Sequence, residues 1–134
     1  MPSRDDIVTT ARTYLGTPYH HQGRVKGVGI DCIGLLVCVA RELGLYVTDL
    51  DGYSRYPDGH TILEELPKCL DPVSQPVSGD ILVFWFIRPD LPGHAGIMTD
   101  VGVIHTYTLS KKVVEHTLNK VWMRRICASF AYRI

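Results

Sequence analysis

Several features that define particular protein classes are missing from this sequence of 134 residues. Its four cysteines, at positions 32, 38, 69 and 127, form no Cys-x-x-Cys pair, which argues against a zinc ribbon or a thioredoxin-like redox site. Lys and Arg together number 14, as do Asp and Glu, so no excess charge favours binding to nucleic acid. No apolar run approaches the roughly 20 residues that a membrane span needs. These absences exclude several classes but leave a globular enzyme or scaffold open.

A secretory signal is also missing from the opening segment, MPSRDDIVTTARTYLG, which lacks the basic-then-apolar pattern. We therefore expect a chain that is cytoplasmic as synthesised and that forms no disulfide bonds. A hydrophobic content of 46% and a charged content of 21% are typical of a globular protein. The length suits one domain that spans residues 1–134.

Two helices are predicted in the N-terminal half. Ser3, with Asp6 three residues later, has the pattern of a capping box, and Gly16 with Pro18 ends that helix. Asp31 is predicted to cap a second helix, CIGLLVCVAREL, after a glycine-punctuated loop, and Gly44 is predicted to end this helix. This second helix is apolar nearly all round, which indicates that it is buried.

The C-terminal half is predicted to form strands. A short helix over HTILEELPKCL and a turn-rich connector, DPVSQPVSGD, precede the strand GDILVFWFI. The segments HAGIMTD, GVIHTYT and KVVEHTL follow at hairpin spacing, and SFAYRI is predicted to close the sheet. Because helices and strands are segregated along the chain, the fold class is α+β, with N-terminal helices packed on a C-terminal antiparallel sheet.

The second helix carries two cysteines in different settings. Cys32 lies in the first turn, where free backbone N–H groups and the positive end of the helix dipole favour a thiolate, the nucleophilic form. Taken alone, Cys32 is more readily interpreted as a small buried hydrophobe, since free cysteine is among the most buried residue types. Cys38 lies two turns further on and, like Cys69 and Cys127, is predicted to be a packing residue.

A nucleophilic cysteine needs a base, and the base needs an orienting partner. His94 opens a predicted strand after a glycine-proline loop, and His105 lies in the next strand. If the hairpin around Asp100–Gly102 has a loop with an even number of residues, the residue numbers of each cross-strand pair add up to an odd number. His105 then lies opposite position 96 or 98. The two imidazoles then share a face, and one can orient the other.

Other uses of the same residue types stay open. Cys32, His94 and His105 could supply three ligands to a zinc ion, although no short-spaced ligand pair is present. The remaining histidines are predicted to be non-catalytic: positions 20 and 21 on the loop before the second helix, position 60 at a helix start, and position 116 at the surface of a strand.

The ordered segments YLGTPYHHQGRVKGVGIDCIGLL, GDILVFWF, GHAGIM and VIHTY resemble the NlpC family of papain-like cell-wall cysteine peptidases. The resemblance covers roughly residues 7–133 and is closest to the branch encoded by phages and prophages near tail genes. It implies a papain-like core with the nucleophile at the N-terminus of the central helix. It also implies hydrolysis of peptide bonds in peptidoglycan stem peptides, typically of the γ-D-glutamyl-diaminopimelate type, without a cofactor.

The resemblance also assigns roles to individual residues. Cys32 matches the nucleophile, His94 the general base, and His105 the polar residue that holds the ring of His94. Tyr19 matches a tyrosine that lines the cleft and helps bind the oxyanion. Asp31 matches an acidic residue that helps hold the amino end of the substrate.

Two departures from the family pattern concern substrate binding. Ile33 stands where many relatives have a serine that contacts the substrate amine, and His21-Gln22-Gly23 replaces a common Trp-Gly-Gly segment. The implied partners are a peptidoglycan stem peptide and phage tail proteins. Alternatives are a peptidoglycan amidase, a thiol acyltransferase on the same fold, or a catalytically silent tail protein.

Overall fold

Residues 1–134 are all described by a computed structural model of the chain. The helices are α1 (Arg4–Arg12), α2 (Cys32–Glu42), α3 (Thr61–Glu65) and α4 (Lys120–Arg125), and a 3₁₀ turn (Leu66–Lys68) follows α3. Ser3 and Asp6 form the predicted capping box of α1. Gly44 has a φ of +69°, a left-handed conformation that glycine adopts readily, and it follows the C-terminal end of α2 as expected.

The strands form one small hairpin and one large sheet. They are β1 (Arg24–Val25), β2 (Gly29–Ile30), β3 (Leu70–Pro72), β4 (Ile81–Trp85), β5 (Pro92–Met98), β6 (Val103–His105), β7 (Val114–His116) and β8 (Ile126–Tyr132). β1 pairs with β2, and the other six strands form an antiparallel sheet in the order β3-β8-β4-β5-β6-β7. The predicted α+β class is confirmed.

The two faces of the large sheet are covered differently. A cluster of 23 buried residues joins α1 and α2 to one face, and α2 is buried along its length from Ile33 to Ala40. A smaller cluster, Leu82 with Phe84 and Val103, lies apart from it and packs against Trp122 of α4. α2 is therefore held against the sheet by its apolar body, which fixes the position of its N-terminus.

Several local predictions were wrong. β8 does not close the sheet at an edge but lies inside it, between β3 and β4. The connector after the short helix contributes β3, and the segment before β8 forms α4. Cys127 is exposed, because it lies at the outer end of β8, whereas Cys38 and Cys69 are buried as predicted.

None of the helices is both long enough and apolar enough to span a bilayer.

Candidate active site

Cys32 is the first residue of α2, directly after the N-cap residue Asp31. One carboxylate oxygen of Asp31 accepts a hydrogen bond from the backbone N–H of Gly34 at 2.8 Å, which confirms the predicted cap. The Cys32 side chain is partly exposed, while Ile33 beside it is 7% exposed and belongs to the core. The helix start thus holds the Cys32 side chain partly buried against the core.

Asp31 is buried and fully engaged by neighbouring donors. Beyond the cap, its carboxylate accepts hydrogen bonds from Arg24 Nη1 at 2.9 Å, from the backbone N–H of Gln22 at 2.7 Å and from the Tyr53 hydroxyl. Two bonds to each oxygen use the acceptor capacity of an ionised carboxylate. The carboxylate therefore has a structural task, and its predicted contact with a substrate amine stays a prediction.

Arg24 links this cap to the long loop before α3. Its guanidinium also bonds to Asp49 at 3.0 Å and to the Tyr53 hydroxyl at 2.9 Å. The sequence shows Arg24 only as one basic residue of a loop, so this network was not predicted. Its result is that the loop containing Tyr53 is tied to the start of α2.

The thiol of Cys32 differs from the sequence-based expectation. Burial, followed by the negative charge of Asp31, raises the pKa of Cys32 to about 12, against the smaller opposing effect of the Ala95 and Ile33 backbone groups. The prediction that the helix start favours a thiolate is therefore wrong for the free protein. With this pKa, Cys32 is a thiol near neutral pH, and a base would have to accept its proton before the sulfur could act as a nucleophile.

His94 and His105 form the predicted pair. Nε2 of His94 lies 2.7 Å from Nδ1 of His105. The register between β5 and β6 pairs Ile97 with Ile104 and Met98 with Val103. The residue numbers of each pair add up to an odd number, as predicted for a loop with an even number of residues. His94 is 4% exposed and His105 is fully buried. Nδ1 of His94 is the ring nitrogen that this contact leaves for chemistry.

A third histidine joins the pair, contrary to the prediction that position 116 is a surface site. Nε2 of His105 lies 2.7 Å from Nε2 of His116, and Nδ1 of His116 lies 2.9 Å from the carbonyl oxygen of Thr117. The three histidines are spaced by 11 residues in the sequence. This equal spacing could have identified His116. If the loop of the next hairpin also has an even number of residues, His116 lies on the same face of the sheet as His105.

Burial keeps the first two imidazoles neutral. Burial, then the neighbouring His105 and His116, holds the pKa of His94 well below its ordinary value. Burial and His116 lower the pKa of His105 to about 3. A neutral imidazole can accept a proton, so His94 is in the state that a general base requires.

Aromatic rings enclose the histidines. The ring centroid of Phe86 lies 4.6 Å from that of His94, and Tyr107 stacks on His105 at 5.1 Å. Trp122 of α4 lies edge-on to His105 at 5.0 Å. This apolar packing restricts the orientation of each ring and accounts for the lowered pKa values.

Cys32 and His94 line the same cleft, which has a volume of ≈ 820 Å³. Tyr19 and His21 also line it, whereas His20 does not. Burial raises the pKa of the Tyr19 phenol, which therefore stays protonated and able to donate a hydrogen bond. The cleft has the size of a site for a small or extended ligand.

The same geometry does not favour the zinc alternative. The side chains of the chain bring together no group of three or more potential ligands suited to a metal ion. In particular, the facing nitrogens of His94 and His105 bond to each other.

His60 is the N-cap residue of α3, as its predicted place at a helix start requires.

By sequence, the chain matches no family profile and no curated protein. Solved structures of NlpC/P60 proteins do match it. A Bacillus cereus NlpC/P60 family protein has a TM-score of 0.75 at 20% identity, over 98% of this chain and 40% of that chain. The NlpC/p60 domain of the peptidoglycan hydrolase SagA has a TM-score of 0.66 at 26% identity, over 97% and 99%. NlpC2 from Trichomonas vaginalis has a TM-score of 0.71 at 16% identity, over 98% and 48%.

The chain thus spans less than half of the Bacillus cereus and Trichomonas vaginalis chains but nearly the whole SagA domain. Five solved structures of this family share its arrangement of helices and antiparallel sheet. The resemblance seen in the sequence is confirmed: the chain has the papain-like α+β fold of the NlpC/P60 family.

Proposed function

We propose that this protein is a cysteine peptidase that hydrolyses peptide bonds in bacterial peptidoglycan stem peptides. The observation that carries the proposal is a cleft lined by Cys32 and by His94, whose far nitrogen is held at 2.7 Å by His105. A thiol, a neutral imidazole and an orienting group are the parts that nucleophilic acyl transfer needs.

The first chemical step joins proton transfer to attack. As Cys32 Sγ adds to the substrate carbonyl, its proton passes to Nδ1 of His94, because Nε2 is already engaged by His105. The raised pKa of Cys32 and the lowered pKa of His94 make a resting ion pair unfavourable, so the proton moves only during attack. Burial thereby keeps His94 neutral at rest, and Nδ1 of His94 can accept the proton during attack.

The oxyanion that forms on the carbonyl needs hydrogen-bond donors. The backbone N–H of Cys32, in the first turn of α2, is one candidate, and the protonated hydroxyl of Tyr19 is the other. The protonated His94 then donates its proton to the leaving amine, and the C–N bond breaks. Water, deprotonated by His94, hydrolyses the remaining thioester and regenerates the Cys32 thiol.

The substrate class rests on the structural relatives and on the family resemblance. SagA is described as a peptidoglycan hydrolase, and its domain has about the same extent as this chain. We propose a γ-D-glutamyl-diaminopimelate type of bond and a phage or prophage origin with tail proteins as partners, both from the sequence motifs. The protein would then act at the cell wall or in the periplasm.

The proposal is tested by digestion of purified peptidoglycan and mass spectrometry of the released muropeptides. We expect products cut within the stem peptide, and none from the Cys32→Ala protein. The Cys38→Ala protein is the matched control, since Cys38 is 8% exposed and packs in the same helix. Cleavage between sugar and peptide would instead identify an amidase, and an exchanged acyl group an acyltransferase. No products from the folded wild-type protein would support a structural role.

A further inference from the structure

We infer that His116, acting with the Thr117 carbonyl, is a positioning residue that sets the tautomers of His105 and His94. Its effect is to leave the Nδ1 lone pair of His94 free for the proton of Cys32. The three rings form one continuous chain of contacts at 2.7 Å, 2.7 Å and finally 2.9 Å to the carbonyl oxygen.

The contact between His116 and the Thr117 carbonyl determines the donor-to-acceptor direction of the hydrogen bonds between the three rings. A carbonyl oxygen can only accept a hydrogen bond, so Nδ1 of His116 must carry a hydrogen toward Thr117. When the His116 ring is uncharged it has one N–H, and Nε2 of His116 is then an acceptor. The contact with Thr117 thus determines whether the His116 nitrogen that faces His105 carries a hydrogen.

The same argument applies to each ring in turn. Nε2 of His105 must donate to Nε2 of His116, which leaves Nδ1 of His105 as an acceptor. Nε2 of His94 must then donate to that nitrogen, and Nδ1 of His94 is left unprotonated. This is the tautomer that can receive the thiol proton, whereas the reverse direction would place an N–H on Nδ1 and block the base.

The surroundings of His116 offer no competing determinant. None of the three rings hydrogen-bonds to a carboxylate. Glu115, the adjacent residue on β7, instead accepts bonds from Arg12 at 2.9 Å and from Thr99 at 2.7 Å. Trp122 packs on His116 at a ring distance of 4.9 Å and has no acceptor for it. The Thr117 carbonyl is therefore the group that sets the direction of the hydrogen bonds between the three histidine rings.

Two amino-acid changes separate positioning from packing. His116→Phe keeps a flat ring but removes the acceptor for His105, whereas His116→Gln keeps an amide oxygen that can accept the same bond. Because one neutral hydrogen bond biases the tautomers by about tenfold, we expect kcat/KM to fall roughly tenfold in His116→Phe, through kcat. The His116→Gln protein should stay within about threefold of wild type. Glu115→Gln, on the same strand, should leave kcat unchanged.

The kinetic role rests on the proposed function, but the tautomers are measurable without a substrate. In ¹⁵N-labelled wild-type protein, long-range ¹H–¹⁵N spectra should show N–H at Nδ1 of His116 and at Nε2 of both His105 and His94. In His116→Phe the spectra of His94 should show a mixture of tautomers. A protein that gives this pattern but cuts no peptidoglycan would refute the proposed function and leave the tautomer assignment standing.

The inference is overturned if His116 carries its N–H on Nε2, or if His94 carries its N–H on Nδ1, in the wild-type protein. It is also overturned if the folded His116→Phe protein has wild-type kcat/KM. Should His116→Phe fail to fold, the wild-type spectra and the His116→Gln kinetics still decide the question.

Discussion

Cys32 and Cys38 lie in one helix, yet burial and position give them different surroundings. Cys32 opens α2 beside the cleft, and Cys38 packs inside with its sulfur 3.4 Å from the carbonyl oxygen of Arg24. The sequence could predict this division from position in the helix. It could not predict the protonation state of Cys32, because the burial of the sulfur and the nearness of Asp31 depend on the folded chain.

At the residue scale, we predict that alkylation of Cys32 by iodoacetamide accelerates continuously with pH and is still rising at about pH 9. The physical reason is the pKa of about 12, which leaves little thiolate at neutral pH. The rate is measured by peptide mapping of the modified protein over time.

Cys127 supplies an internal reference for the alkylation experiment, because it is an exposed cysteine that lies in β8 and not in α2. The Cys32→Ala protein identifies the signal from Cys32. A rate at Cys32 that is already constant between about pH 5 and pH 7 would show a resting thiolate and contradict the general-base mechanism.

At the scale of elements, the N-terminus of α2 depends on the Asp31 network. We predict that Asp31→Ala lowers the free energy of unfolding by about 3 kcal/mol, because it removes the cap and leaves Arg24 with one fewer partner. Asp31→Asn keeps an oxygen for Gly34 and should lose less. Urea unfolding measures both values.

The comparison of the two Asp31 variants separates the cap from the charge. Equal losses in Asp31→Asn and Asp31→Ala would mean that the ion pair with Arg24 dominates. No loss in either variant would contradict the structural task assigned to this carboxylate.

The pairing of β5 with β6 shows how far the sequence predicts the site. The even-loop argument correctly placed His105 on the face of His94, because side chains alternate strictly along a strand. The same argument also applies to β6 and β7, where His105 pairs with Val114 and His116 follows two residues later. His116 was missed because its neighbours, Glu115 and Thr117, suggest an exposed strand.

At the scale of the whole molecule, the class of the fold was predictable but the order of the strands was not. The segregation of helices from strands identified an α+β fold, and the β4–β7 meander follows from short hairpins. β8 pairs with β4 far earlier in the chain, which no local pattern specifies. β3 has only three residues and includes Pro72, so its composition indicates a turn.

The buried histidines also affect the stability of the whole molecule. His94 and His105 have folded-state pKa values below the unfolded value of about 6.5, so the unfolded chain binds more protons as pH falls. Stability should therefore be retained above about pH 6.5 and decline below it, by about 1.4 kcal/mol per pH unit for each buried imidazole. Urea unfolding at a series of pH values measures this slope.

Two variants test which histidines cause the decline. His105→Gln and His94→Gln should each reduce the slope to about half, because each removes one of the two buried imidazoles. A stability that does not change between about pH 6.5 and pH 5 would show that the buried rings are not held neutral.

The central claim is that Cys32 performs the chemistry in this cleft, and the kinetics of muropeptide hydrolysis test it most directly. The measurement is kcat/KM for wild-type, Cys32→Ala and Cys38→Ala proteins, each shown to be folded by circular dichroism. We predict a loss of at least about 10⁴-fold for Cys32→Ala and a value near wild type for Cys38→Ala. A Cys32→Ala protein that hydrolyses the wall peptide at the wild-type rate would contradict the account.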